Sequence, residues 1–148
     1  MRKILTFFVL ILLGVSLLTR ADIWKREAPL SGPFASEIGK AYMVPRLALP
    51  LPLPGFFTTP SDSSGDPDAS RLLVFEDGQK IGRAHAPHDL IRTEGGGAYS
   101  HWNGGLRFST GDGSDPNTNG KNYTLRYSVR VAGWIVGLLA ALLVGLVL

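Results

Sequence analysis

Residues 131–148 close the chain without a single charged side chain, and no other stretch constrains the protein as tightly. Coiled as a helix, such a run measures about 27 Å, close to the thickness of a bilayer's hydrocarbon core. A helix buried in a soluble core keeps a polar face, and this one has none. Trp134 stands near its start, and Arg126 and Arg130 lie just upstream, a pattern that suits the headgroup level of a membrane. The other end of the chain is similar. Residues 4–18 are almost uninterrupted Ile, Leu, Phe and Val behind Arg2 and Lys3. That run fits a signal peptide or an uncleaved signal-anchor over residues 1–21, because Thr19 and Ala21 suit a peptidase whereas Arg20 between them does not.

Two spans place the termini on one side of a membrane and the centre of the chain on the other. Arg20, Lys25, Arg26 and Arg130 oppose the positive-inside rule. A loop of about 110 residues crosses largely regardless of charge, so the signal-like start decides the orientation. The expectation is a bacterial inner-membrane protein with a periplasmic central domain. Gly133, Gly137, Ala141 and Gly145 recur at every fourth position and share one helix face, where small side chains admit a second helix. A membrane-protein partner or a homo-oligomer fits that face.

Much of the 45% hydrophobic content sits in these ends, which leaves a small polar centre. A domain of about 60 residues is marginal without help, and the absence of cysteine excludes disulfides. The net charge of +3 comes from dispersed Lys and Arg interleaved with acids, so no nucleic-acid footprint is present. Residues 22–44 form a juxtamembrane segment, in which the spacing of Pro33, Ile38 and Tyr42 predicts a short interfacial helix. Residues 45–70 read as a Pro-rich linker: Pro50, Pro52 and Pro54 alternate with Leu49, Leu51 and Leu53, and a Ser/Asp/Gly/Pro hinge follows.

Residues 71–130 carry strand signals. A short apolar run ends at Asp77-Gly78, a two-residue turn, and a second hairpin is expected from residues 98–109 around Gly104-Gly105. The clearest alternation places Tyr123, Leu125, Tyr127, Val129 and Val131 on one face. The predicted fold is mainly β, a small antiparallel sheet or curled sandwich of about five strands between N-terminal and C-terminal membrane helices.

Three constellations bear on chemistry. His85, His88 and Asp89 have permissive metal-ligand spacing, but Pro87 places them on a loop, where ordinary polar histidines are the plainer reading. Asp112, Asp115, Asn117 and Asn119, with Gly120, match the first half of a Ca2+ loop, making Ca2+ the one cofactor to consider. The position that needs a bidentate Glu is Arg126, and the same residue types build any tight loop. Tyr99, His101, Trp102 and Asn103 combine flat rings with hydrogen-bonding tips, which suits sugar rings and a small β core alike. No catalytic set stands out: Glu76, Asp77 and Glu94 are unpaired in sequence, and Ser100 lacks a nucleophile elbow.

The segments LLVFEDGQKIG, AHAPHDLI, GGGAYSHW and LRFSTGDGSDPNTNGKNYTL, about 55 residues together, resemble a β-rich module of bacterial surface-polysaccharide biosynthesis proteins. That module is sometimes appended to glycosyltransferases or methyltransferases. The resemblance implies a pathway and not a reaction, and membrane helices here take the place of a transferase. The expected role is a non-enzymatic accessory or polysaccharide-binding protein. A structural subunit that packs through its C-terminal helix is the alternative.

Overall fold

The computed structural model describes residues 7, 11, 14, 24–135, 137, 138 and 141. Nine strands and a short helix follow in order: β1 (Trp24–Pro29), β2 (Ala35–Ser36), β3 (Tyr42–Val44), β4 (Phe57–Thr58), β5 (Leu73–Glu76), β6 (Gln79–Lys80), α1 (His88–Thr93), β7 (Tyr99–Trp102), β8 (Gly105–Phe108) and β9 (Tyr123–Val131). The chain divides into two compact units. The larger comprises Arg26–Pro50 and Thr59–Ser128, and the smaller comprises Met1–Lys25, Leu51–Thr58 and Val129–Leu148.

The larger unit is built on two sheets. One runs β1-β9-β5-β6 and the other runs β2-β3-β8-β7, while β4 belongs to the smaller unit and pairs there with the end of β9. Antiparallel registers pair Val74 with Leu125 in the first and Tyr42 with Phe108 in the second. The two hairpins form where turn chemistry allows. Asp77 and Gly78 both have positive φ, 49° and 79°, the signature of a tight turn that matches strand twist. Asn103 and Gly104, at 49° and 76°, do the same between β7 and β8, one residue earlier than the glycine pair suggests.

Alternation along β9 buries Tyr123, Leu125 and Tyr127 and turns Arg126 outward, where its guanidinium covers the Phe75 ring at 4.7 Å and bonds Glu27. The regular pattern ends at Ser128, which is buried as well. Phe108 of β8 and Tyr123 of β9 meet with ring centroids 5.7 Å apart, and Phe34 lies edge-on to both. That aromatic triad joins the two sheets. A satellite cluster of Ala41, Ala86, Ile91 and Ala98 seats α1, which starts directly after Pro87.

Where the spacing of Pro33, Ile38 and Tyr42 suggests a helix, the segment instead supplies β1, β2 and β3. Pro29, Gly32, Pro33 and Gly39 break a helix, and unpaired edges of β8 and β9 offer the backbone partners that a helix would otherwise provide.

Residues 7, 11 and 14 are helical, as are residues 133–135, 137, 138 and 141. Among the described residues no helix is long and apolar enough to cross a membrane. Gly133, Gly137 and Ala141 are exposed on the helical segment, and a Cβ at Gly133 or Gly137 would meet nothing within 4 Å. Gly145 and most of the terminal runs lie outside the described residues.

Close backbone approach operates between Gly97, in the glycine run before β7, and Gly82. A Cβ on Gly82 would overlap the carbonyl of Gly97, whereas one on Gly96 would meet open space. Both residues have positive φ. Gly82→Ala should therefore destabilise the chain by about 2 kcal/mol or more, and Gly96→Ala by about 1 kcal/mol, the cost of the left-handed backbone alone. Urea midpoints of the full chain in detergent check this, and equal shifts would contradict it.

Candidate functional site

Asp62 is a carboxylate buried in the larger unit, at 1% exposure. It sits in the Ser/Asp/Gly/Pro segment that composition reads as a hinge. Its backbone docks alongside β7 through bonds from Asp62 N–H to the His101 carbonyl and from Asn103 N–H to the Asp62 carbonyl. The carboxylate then faces inward. Oδ1 accepts the Ser70 N–H at 2.8 Å, and Oδ2 accepts the His85 Nδ1–H at 2.8 Å. A carboxylate accepts at this contact, so in the neutral ring it favours the tautomer with the proton on Nδ1 and the lone pair on Nε2. Nε2 has no hydrogen-bond partner among the described residues.

His85 itself has φ +55°, a left-handed conformation unusual for a residue with a side chain. Flanking bonds hold it there: Ala86 N–H donates to the Tyr99 carbonyl, and Tyr99 N–H donates to the Arg83 carbonyl.

Behind this pair lies a buried relay. The Ser70 hydroxyl is 2.9 Å from His101 Nδ1 and accepts the Leu72 N–H. Burial lowers the pKa of His101 below its ordinary 6.5, against the opposing influences of Asp62 and a bond to the Pro60 carbonyl. His101 is 4% exposed and serves as interior structure.

In front of the pair a cleft of about 510 Å³ opens, walled by His85, His88, Asp68, Arg92, Ser100 and Trp102. Trp102 and His88 meet edge to face, centroids 5.9 Å apart. The same two rings border a second hollow of about 450 Å³ that reaches Asn103 and Arg107. His88 is thus flanked by cationic side chains. Burial, then the charges of Arg107 and Arg92, push its pKa down, which keeps the ring neutral near pH 7. Both guanidiniums are themselves tied down. Arg107 Nε donates to the two oxygens of Glu37, and Arg92 donates to Glu37 and Asp89. Burial of Glu37 pushes its pKa up, but the Arg107 and Arg92 contacts outweigh that and hold it below the ordinary value.

The four ring-bearing or amide residues singled out in the sequence are thereby separated. Trp102 lies in the cleft wall, Asn103 forms the hairpin turn beside it, and Tyr99 and His101 are buried at 1% and 4% exposure.

The loop that resembles half of a Ca2+ site is closed on itself. Asp112 accepts from Ser114 and from the Lys121 ammonium at 2.7 Å. Asp115 accepts from the Asn117 N–H, Asn117 grips the backbone of Phe34, and Asn119 bonds Ser114, Tyr123 and the Lys121 N–H. Protein donors therefore occupy these oxygens. Among the described residues no three His, Asp or Glu side chains gather as a metal site. His85 and His88 share the cleft but not a common centre, because one binds Asp62 and the other packs on Trp102 and Arg107.

Depressed histidines set the acid limit of stability. The unfolded chain takes up protons near pH 6.5 that folded His101 and His88 resist, so the stabilisation is whole above that value and fades as pH falls through the lower folded pKa values. Lowering pH from about 7 to about 5 should shift the urea midpoint of the full chain down, and His101→Gln should make the decline shallower. A midpoint independent of pH over that range would contradict this. No protein-family model, no curated protein and no solved structure matches the chain.

Proposed function

We propose that this chain is a non-enzymatic, glycan-binding accessory protein of bacterial surface polysaccharide, anchored in the inner membrane with its β domain in the periplasm. The observation that carries the reading is the cleft beside Trp102. A half-buried indole there shares the lining with a histidine whose Nδ1 is held by a buried carboxylate. Sugar rings present apolar C–H faces and hydroxyl edges at once. An indole takes the face, and an oriented acceptor takes a hydroxyl proton. Because Asp62 fixes the tautomer before any ligand arrives, His85 binds without an orienting cost at the moment of contact.

Rim groups extend the same chemistry. Asp68 and Asp89 are exposed acceptors for further hydroxyls, while Arg92 is already paired with Glu37 and Asp89. The groove continues past the Trp102 and His88 wall into the second hollow, which suits a ligand longer than one sugar. The resemblance of residues 72–125 to a module of polysaccharide-biosynthesis proteins supports the same ligand class. The polar loop from Asp112 to Asn119, self-bonded as it is, contributes architecture in this reading.

Titration of the full chain with neutral and acidic bacterial polysaccharides, followed by tryptophan fluorescence and calorimetry, tests the proposal. Trp102→Ala should abolish measurable binding, and His85→Ala should weaken it about tenfold, the loss expected for one buried neutral hydrogen bond. Unchanged affinity in both variants would remove the cleft as the site. Release of new reducing ends or of substituents from the polysaccharide would show turnover and overturn the non-enzymatic part of the reading.

A further inference from the structure

In the smaller unit the Pro-Leu segment is folded into a defined loop. Phe56 and Phe57 donate their N–H groups to the Leu53 carbonyl, which closes a turn. β4 then pairs with the end of β9, Phe57 opposite Val131 and Thr58 opposite Arg130. Ala132 N–H bonds the Phe56 carbonyl, and the Trp134 indole N–H bonds the Gly55 carbonyl at 2.9 Å. The loop is thus clamped onto the first turn of the C-terminal helical segment.

Its side chains are spent in the opposite sense. Leu53, Phe56 and Trp134 are 58%, 52% and 54% exposed, and Trp24, stacked on Phe57, is 50% exposed. Phe56 and Trp134 touch each other, with centroids 5.6 Å apart. Grouped aromatic exposure of this kind is uncommon on a soluble surface and marks a contact site.

We propose that the loop from Leu51 to Thr58, with Trp24 and Trp134, is a lipid-docking surface that inserts into the headgroup and upper acyl region of the membrane. Two observations commit the occupant to lipid. The chain runs from Trp134 straight into residues 135–148, which carry no charge, so a bilayer receiving that segment meets the aromatics at its entrance. Two donors at the aromatic patch itself are also satisfied from within, the Trp134 indole N–H by Gly55 and the Ala132 N–H by Phe56. Internal satisfaction is what lipid demands of backbone and indole groups, and a watery interface does not. Gly55, with φ +89°, supplies the bend that brings its carbonyl under the indole. The inference rests on the anchoring part of the proposed function. It adds that the loop is a second, non-spanning hold, which fixes the tilt of the smaller unit at the surface.

The absence of cysteine allows a clean test. Leu53→Cys and Gly145→Cys are each labelled with an environment-sensitive nitrobenzoxadiazole dye, and the full chain is reconstituted into phosphatidylcholine and phosphatidylglycerol vesicles. Brominated phosphatidylcholine then reports contact with acyl chains. The proposal expects a blue shift and bromolipid quenching at both positions, with Leu53 quenched most by bromines near the headgroup and Gly145 by deeper ones. Added Phe56→Ser should reduce quenching at Leu53 and leave Gly145 unchanged. Quenching at Gly145 with a water-exposed Leu53 would overturn the docking surface and leave the anchor standing. No quenching at either would overturn both. A Leu53 label shielded from water yet not quenched by bromolipid would assign the patch to a second copy of the chain, and that too would overturn the proposal.

Discussion

A carboxylate taken out of water survives only if donors replace the water, and Asp62 has them on both oxygens, from the Ser70 backbone and the His85 ring. Much else depends on this arrangement. Asp62 pulls the segment from Thr59 onward against β7, where its backbone exchanges bonds with His101 and Asn103. Ser70, held by the same carboxylate, passes its hydroxyl to His101 and receives Leu72 as the chain enters β5. A stretch rich in Ser, Asp, Gly and Pro becomes ordered because one side chain in it is committed to the interior. Removing that charge's partners leaves a buried group unsatisfied, which costs far more than an exposed ion pair such as Arg126 with Glu27 contributes.

The same carboxylate links the fold to the candidate site. His85 is bent into left-handed backbone, held by Asp62 through Nδ1 and set in the cleft lining. On the opposite wall, Trp102 and His88 are placed by the β7 hairpin and by α1, whose Ile91 is buried among alanines. The guanidiniums of Arg92 and Arg107 are both tied to Glu37, from the segment before β3, so three separate stretches of chain converge on one hydrogen-bonding groove.

The local chemistry of turns and the alternation of β9 were legible before any coordinates. Asp77-Gly78 needs two positive φ values, and Tyr123, Leu125 and Tyr127 need one buried face; the structure supplies each. The strands before residue 50 were not legible, since β1, β2 and β3 have little alternation of their own and exist because β8 and β9 provide partners. Within the site, Trp102 stands in the cleft wall, whereas Tyr99 and His101, three residues and one residue before it, turn into the core. Their alternation was visible, but which face was the interior depended on the second sheet. Asp62 carried no signal at all, because an acid in a polar segment looks solvated until its donors, Ser70 and His85, are placed around it from 8 and 23 residues away. In the Asp112 to Asn119 loop the oxygens abundant in sequence are engaged by Lys121, Ser114 and backbone N–H groups.

The tautomer of His85 is the most direct measure of whether Asp62 organises the site as described. Long-range proton–nitrogen NMR of the imidazole rings, on the full chain in detergent with His85 assigned by substitution, reads it without reference to any ligand. The account requires His85 at neutral pH to carry its proton on Nδ1, with Nε2 at the chemical shift of an unprotonated ring nitrogen, and Asp62→Asn to disturb that pattern. A His85 ring protonated on Nε2 alone, or one indifferent to Asp62→Asn, would contradict it.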